Sequence, residues 1–339
     1  MREKAKRFLQ KIRAFDPLGN EPGVLLVIAA VFLLIPLFVR SKTILNTLTL
    51  TMLYVVLTSS LNVVNGYSGQ FNVGQAGFYC VGAYTAAILS TRFGWSFWAL
   101  LPVSGLAAAA VSLVLSGPTA KLKGMYFTII TLGFCEIIRL VCKNWNSLTN
   151  GARGIAGVPA PDFFGIKYTR SLFFYYVIFA VMCLCVLCIY RVIRSRVGRA
   201  WLSIREDESA ALSLGIRVSR YKMLNFAFSA FWAGVCGCFY AFFLRFVSPD
   251  SFSLDESFNI LAMNVIGGQG TLLGPVVGAI LINLITEFFR FALQYRMLIY
   301  SALIIAMMWL RPQGLIGAIN TGAAARGRQK AAGKQEAGK

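Results

Sequence analysis

The chain contains no histidine. Imidazole is the usual general base near neutral pH and the commonest metal ligand, so its absence closes both routes. A Ser-His-Asp or Cys-His nucleophile is excluded within this chain. Charge is scarce as well: charged residues make up 14% of the chain, against about 25% in soluble globular domains. Acids are the scarcer sign, with 13 Asp+Glu against 33 Lys+Arg and a net charge of +20. No G-x-x-x-x-G-K-[ST] phosphate loop occurs. If ATP drives this protein, another chain binds it.

What is abundant is apolar. Hydrophobic residues account for 57% of the 339 residues, above the roughly 45–50% of soluble domains and far above the content of disordered chains. The basic residues sit between long apolar runs, not along one soluble face, which sets nucleic acid aside as a partner. The chain reads as an all-α integral membrane protein.

A membrane-spanning helix needs about 20 apolar residues to cross ~30 Å of hydrocarbon. The first run is Gly23 to Val39, after a basic tail over residues 1–22. Tail plus run imitates a signal peptide. No small-x-small cleavage site follows, so an uncleaved first helix is expected. Further spans are expected near 44–64, 73–91, 95–116, 124–142, 171–190 and 223–244. Two or three more fall between 257 and 310, where glycines break the pattern. The expected total is about 8–10 helices, within residues 23–311, followed by a basic, disordered tail over 312–339. Positive loops stay in the cytoplasm. The N-terminal tail, loop 117–123, loop 191–222 and the C-terminal tail hold 22 of the 33 Lys/Arg. Both termini are therefore expected inside. That parity requires segment 257–268 to cross or to re-enter as a half-helix.

The eight cysteines lie in apolar spans. Cys183-x-Cys185-x-x-Cys188 has a metal-like spacing, but residues two apart on a helix face different ways and no histidine completes a site. Small apolar packing residues are the better reading.

Four features carry mechanism. Asn65-Gly66-Tyr67-Ser68-Gly69-Gln70-Phe71-Asn72-Val73-Gly74-Gln75-Ala76-Gly77 is polar and glycine-rich between two apolar runs. Irregular backbone at membrane depth survives only inside protein or along a watery cavity. The segment is thus a broken helix lining a path, or an interfacial loop. Downstream, Gly82-xxx-Ala86 and Ala83-xxx-Ala87 suit close helix packing. Gly267-Gly268-Gln269-Gly270-Thr271-Leu272-Leu273-Gly274-Pro275 repeats the logic late in the chain. Two such interruptions point to a central path between halves. In loop 191–222, Ser203 and Glu206 fit a capping box, Glu206, Asp207 and Glu208 suit a first turn, and Gly215 suits a terminator. The expected helix has about 11 residues with Ala210, Ala211 and Leu214 as its apolar stripe. It is either a docking element for a soluble partner or a solvated loop. Finally, Glu136 and Arg139 share a helix face, as do Glu287 and Arg290. A structural ion pair competes there with a transport role.

Together these segments resemble a known family. Asn65 to Phe78 with Gly82-Ala83-Tyr84 resembles the signature of the permeases of branched-chain amino acid ABC transporters. Leu148-Thr149-Asn150-Gly151-Ala152-Arg153-Gly154-Ile155 is similar to their external loop. Residues 195–211 resemble the cytoplasmic loop of the LivM-type subunit, and Gly267 to Pro275 a late motif. The resemblance implies a polytopic inner-membrane bundle with interrupted helices and a short cytoplasmic coupling helix. It implies a related second permease (LivH-type), two cytoplasmic ATPase subunits that carry ATP-Mg, and a periplasmic amino-acid-binding protein; this chain itself binds no cofactor. Ser203, Arg205, Glu206, Asp207, Glu208, Ala210, Ala211 and Gly215 become the coupling residues. The importer signature "EAA…G" falls on Ser209-Ala210-Ala211 with Gly215, with Ser in place of Glu. Asn65, Gly66, Ser68, Gly69, Gln70, Asn72, Gly74, Gln75, Gly267, Gly268, Gln269 and Gly270 become candidate path residues. The implied mechanism is ATP-driven alternating access. A urea or short-amide permease shares these motifs. An ion-coupled secondary transporter would need intramembrane acids, of which Glu136 is the one deep example.

Overall fold

A computed structural model describes residues 21–38, 41–119, 124–163, 166–167, 171–288 and 314–315. Its helices follow the apolar runs. They are α1 (Glu21–Phe38), α2 (Lys42–Asn62), α3 (Gln75–Phe93), α4 (Phe97–Thr119), α5 (Met125–Asn144) and α6 (Ser171–Arg194). Then come α7 (Arg196–Glu206), α8 (Glu208–Ser213), α9 (Val218–Leu244), α10 (Leu254–Gly267) and α11 (Leu273–Phe288). Among the described residues, five helices are long and apolar enough to cross a membrane: α2 with its π-helical extension to Tyr67, α4, α5, α6 and α9. The helices α1 and α3 add 18 and 19 residues at expected places. The last expected span lies largely in 289–310, outside the described residues.

The two ends of the bundle differ. One holds α7, α8 and the first turns of α9, and Arg191, Arg194, Arg196, Arg199, Arg205, Arg217 and Arg220 are exposed there. At this basic end, Leu25 and Ile28 of α1 share a small apolar cavity with Tyr190 and Leu272. Gly314 brings the chain back to the same end, against Gly268. The opposite end is closed by short pairings. Strand β1 (Ile155–Ala156) pairs antiparallel with β4 (Phe246–Val247), and β2 (Asp162–Phe163) with β3 (Ile166–Lys167). The Arg92 guanidinium donates to the carbonyls of Ser147 and Leu148.

The central helix is α9, packed between α3 and α4. Small residues permit the close approach that drives helix association in lipid. A Cβ added to Gly82 of α3 would run into the Gly234 backbone of α9, and one on Gly234 into the Ser104 carbonyl of α4. Starting at Val218, α9 is longer at its basic end than the apolar run indicated. The extra turns are anchored: Trp201 Nε1 donates to the Tyr221 carbonyl (2.9 Å), and Lys222 Nζ pairs with Glu208 (3.0 Å).

The expected half-helix is α10, of 14 residues. After β4 the chain dips inward, and buried Phe252 packs edge-on against Tyr79 (4.9 Å between ring centroids) and Tyr240 (5.7 Å). From there α10 runs to Gly268, and α11 turns back beside it.

The α3–α9–α4 contact yields a test. Gly234→Val forces a branched side chain into two backbones, and overpacking of this kind costs about 1–3 kcal/mol or more. A clear fall in the thermal midpoint of the detergent-purified protein is expected. Gly117→Ala, where a Cβ meets nothing within 4 Å, should leave that midpoint unchanged.

Candidate functional site

At its end α2 does not stop cleanly. It widens into a π turn, Val63–Tyr67, all of it buried. Such turns shift the hydrogen-bond ladder and are frequent at functional sites. Asn225 of α9 donates to the Val63 carbonyl (3.1 Å). The chain then loops through Ser68–Gly74 and restarts as α3 at Gln75.

The restart is buried, so the free N–H groups of a helix N-terminus need partners inside the protein. Asn65 grips Asn72 twice: Asn72 N donates to Asn65 Oδ1 (2.9 Å), and Asn65 Nδ2 donates to the Asn72 carbonyl (3.2 Å). Asn72 Oδ1 accepts from Gly74 N (2.8 Å). Thr131 of α5 accepts from Val73 N (3.2 Å), and Ser257 of α10 from Ala76 N (3.0 Å). The Gln75 side chain donates to Ser60 (2.9 Å) and to Ser229 of α9 (3.3 Å). Five helices thus meet at one polar knot in an apolar bundle.

The second interruption lies against the first. Gly268 (φ 116°) and Gly270 (φ 77°) adopt left-handed backbone that ends α10. Thr271 Oγ1 accepts from Gly274 N (3.0 Å) and donates to the Gly268 carbonyl (3.0 Å), which caps α11. Asn62 joins the two segments. Its Oδ1 accepts from Gly270 N (2.9 Å), and its Nδ2 donates to the Thr271 carbonyl (2.7 Å). A Cβ on Gly66 would collide with Gly270.

The candidate path residues therefore separate into groups. Asn65, Asn72, Gly74 and Gln75 form the knot, with Ser68 bonded back to Val64. Gly66, Gly268 and Gly270 meet at the junction. Gly267 instead faces the α11 backbone at Gly274, Gly69 is exposed, and Gln269 and Gln70 are half-buried. Sequence reasoning missed Asn62, Asn225 and Asn264. Asn264 is fully buried on α10, and neither atom of its amide has a hydrogen-bond partner among the described residues. The available signal was an asparagine in the last turn of an apolar helix, as at Asn62, or within one.

The loop 191–222 corrects one expectation. Ser203 is not a helix N-cap: it lies inside α7, its hydroxyl donating to the Arg199 carbonyl (2.9 Å). Ser195 caps α7 instead, accepting from Val197 N (3.1 Å). The helical run breaks at Asp207, whose carboxylate accepts from Ser209 N (2.8 Å) and Ala210 N (3.1 Å). A charged carboxylate outcompetes the ladder for those N–H groups and starts a new helix. The expected 11-residue helix is therefore the six-residue α8. Gly215 (φ 81°) ends it as foreseen, with Gly215 N bonded to the Leu212 carbonyl and Ile216 N to the Ala211 carbonyl. Ala211 packs inward on Ile204 and Val218, while Leu212 and Leu214 are 55% and 42% exposed. Glu208 is held by Lys222; Glu206 and Asp207 remain exposed.

The acid Glu136 sits on α5 in a charge network. Arg139 Nε donates to both its oxygens (3.2 and 3.1 Å), and Arg139 Nη1 reaches Asp250 (3.2 Å) with Lys143 beside it (3.5 Å). Glu287 falls at the end of α11, and its partner Arg290 lies outside the described residues.

The family described as "Branched-chain amino acid transport system / permease component" matches residues 43–309. The chain belongs to that family. Two relatives are the high-affinity branched-chain amino acid transport system permease proteins LivM of Escherichia coli K12 and Salmonella typhimurium LT2. Each is 38% identical over 302 residues, covering 82% of this chain and 71% of the relative. A probable branched-chain amino acid transport permease protein LivM of Methanocaldococcus jannaschii is 22% identical over 78% of this chain and 90% of its own length. No solved structure matches the chain. This multi-pass membrane protein is thus a transport permease.

Asn62→Leu should destabilise the purified permease. It strands the Gly270 N–H and the Thr271 carbonyl in a buried site, at about 1–3 kcal/mol for each group left without a partner. Asn283→Leu, on the half-buried face of α11, is the matched control. An equal thermal midpoint in both variants would remove Asn62 from the junction.

Proposed function

We propose that this chain is the LivM-type permease subunit of an ABC importer for leucine, isoleucine and valine. It sits in the bacterial inner membrane with both termini in the cytoplasm. The permease domain covers 23–311, and the flanking basic tails, 1–22 and 312–339, stay inside. The observation that carries the reading is a juxtaposition: the short helix α8, with Leu212 and Leu214 projecting at the basic end, stands next to two interrupted helices. A helix too short to span, exposed on its apolar tip, is suited to a groove on a soluble subunit. Two related ATPase subunits supply ATP-Mg chemistry, for which this chain has no phosphate loop.

A branched-chain amino acid is a zwitterion with an apolar side chain. Its path needs apolar walls and a few polar groups. The knot at Asn65–Gln75 supplies these, and in the described conformation its groups are paired with one another. Asn264 and the Oδ1 of Asn225 hold unspent hydrogen-bonding capacity on the two helices that reach the knot through Ser257 and Ser229. Alternation exchanges these internal partners for the substrate's ammonium and carboxylate, and a periplasmic binding protein delivers the load at the far end.

A second, related permease covers α5. The stripe Met125, Ile129, Ile137 and Leu140 is exposed, with the half-buried Glu136–Arg139 pair among it. Ionisable groups facing hydrocarbon are costly, so such a face favours a protein neighbour over lipid.

Reconstituted with its ATPase and binding-protein partners, the permease should take up leucine, and leucine should stimulate ATP hydrolysis. Uptake of urea instead would reassign the substrate, and uptake that persists after ATP depletion would refute the ABC mechanism. Paired Leu212→Glu and Leu214→Glu should abolish co-purification of the ATPase while membrane insertion is kept. A reporter fused after Lys339 should be active only in its cytoplasmic form.

A further inference from the structure

The resemblance implies a coupling role for Arg205, and its contacts show what it touches within this chain. It is the penultimate residue of α7, two residues before the break at Asp207. Its aliphatic stem lies along Gly69: a Cβ on that glycine would stand 3.1 Å from Arg205 Cγ and 3.5 Å from its Cα. Its guanidinium lies over Gly270, where a Cβ would stand 2.5 Å from Nη1 and 3.4 Å from Cζ. Both glycines have positive φ, 71° and 77°. Each therefore lacks a side chain where Arg205 passes, one in each interrupted segment. Ser68, Gly69, Gln70, Arg205, Glu208 and Lys222 share a cleft of about 90 Å³. Among the described residues, Arg205 has no ion-pair partner that would fix it elsewhere.

Two further sets of contacts define what Arg205 connects. On one side, α7, α8 and the start of α9 form a single unit through Trp201–Tyr221, Glu208–Lys222 and the Ile204–Ala211–Val218 cluster. On the other, Asn62 bonds the turn at Gly270 to the end of α2. From α7, Arg205 reaches into both interrupted segments, at Gly69 and at Gly270.

Building on the importer reading, we infer that Arg205 is a positioning residue. It is a wedge that makes the α8 unit and the two helix interruptions move as one body. A displacement of α8 by the ATPase then reaches both interruptions together, because Asn62 has already joined them. The guanidinium matters: Nη1 and Cζ lie against the Gly270 backbone, a contact that a lysine ammonium reproduces poorly.

The test uses the whole transporter with Arg205→Ala and Arg205→Lys. Cys183 and Cys188, the two half-buried native cysteines, are first replaced by Ala, the other six being buried; charged nitroxide labels are then placed at Phe71→Cys and Ser213→Cys, both exposed positions. With Arg205 present, the label separation should stay the same when the ATPase is trapped with ATP and vanadate. In Arg205→Ala it should shift, with the lysine variant between. ATP hydrolysed per leucine carried should rise about tenfold in the alanine variant, the scale of an ordinary allosteric coupling, with the ATPase still co-purifying. A separation that shifts with Arg205 present, or fails to shift in Arg205→Ala, overturns the wedge. Loss of the ATPase from the alanine variant would make Arg205 a docking residue instead. If the unsubstituted transporter carries no leucine, the substrate reading fails, and the label separations still decide the wedge.

Discussion

A backbone group freed inside a membrane bundle must find its partner within the protein, because the surrounding hydrocarbon offers none. Most of this molecule obeys that constraint by continuous helix. Two places break the helix, and there the constraint becomes the architecture. The N–H groups at the start of α3 are met by Asn72, Thr131 and Ser257, so α5 and α10 are drawn to that point. The turn after α10 is met by Asn62, so two segments about two hundred positions apart are held together. The glycines follow from this, since the junction has no room for a Cβ at Gly66.

The same constraint explains why the segment 191–222 is built differently. Outside the bundle, water satisfies backbone groups, and a short side chain can redirect the chain cheaply. Asp207 does so and splits one helical run into α7 and α8. The pieces are then tied down by side chains, with Lys222 and Glu208 at the centre. The interior breaks and the exterior helix differ accordingly: the first are held by buried polar pairs, the second by one ion pair and a small apolar cluster.

How much of this was legible in the sequence depends on range. Span positions were, because apolar runs end at charges such as Arg40, Arg92 or Arg191 and the physics is local. The half-length α10 followed from charge parity, a global count that needs no contact. The helix cap at 207 was misread because Ser203 and Asp207 both satisfy a local rule, and the stronger acceptor won. The junction at Asn62 was invisible, since a lone asparagine in an apolar helix carries no mark of the partner it will meet at Gly270. The contacts of Arg205 were hidden for the same reason: a basic residue in a basic loop carries no mark of Gly69 and Gly270 beside it.

The 14 residues of α10 have one more consequence. At 1.5 Å per residue the helix rises ~21 Å, against ~30 Å for the hydrocarbon of a bilayer. The rest of that depth is taken by the inward dip that buries Phe252. Where α10 starts is therefore set by how deeply Phe252 is seated between Tyr79 and Tyr240.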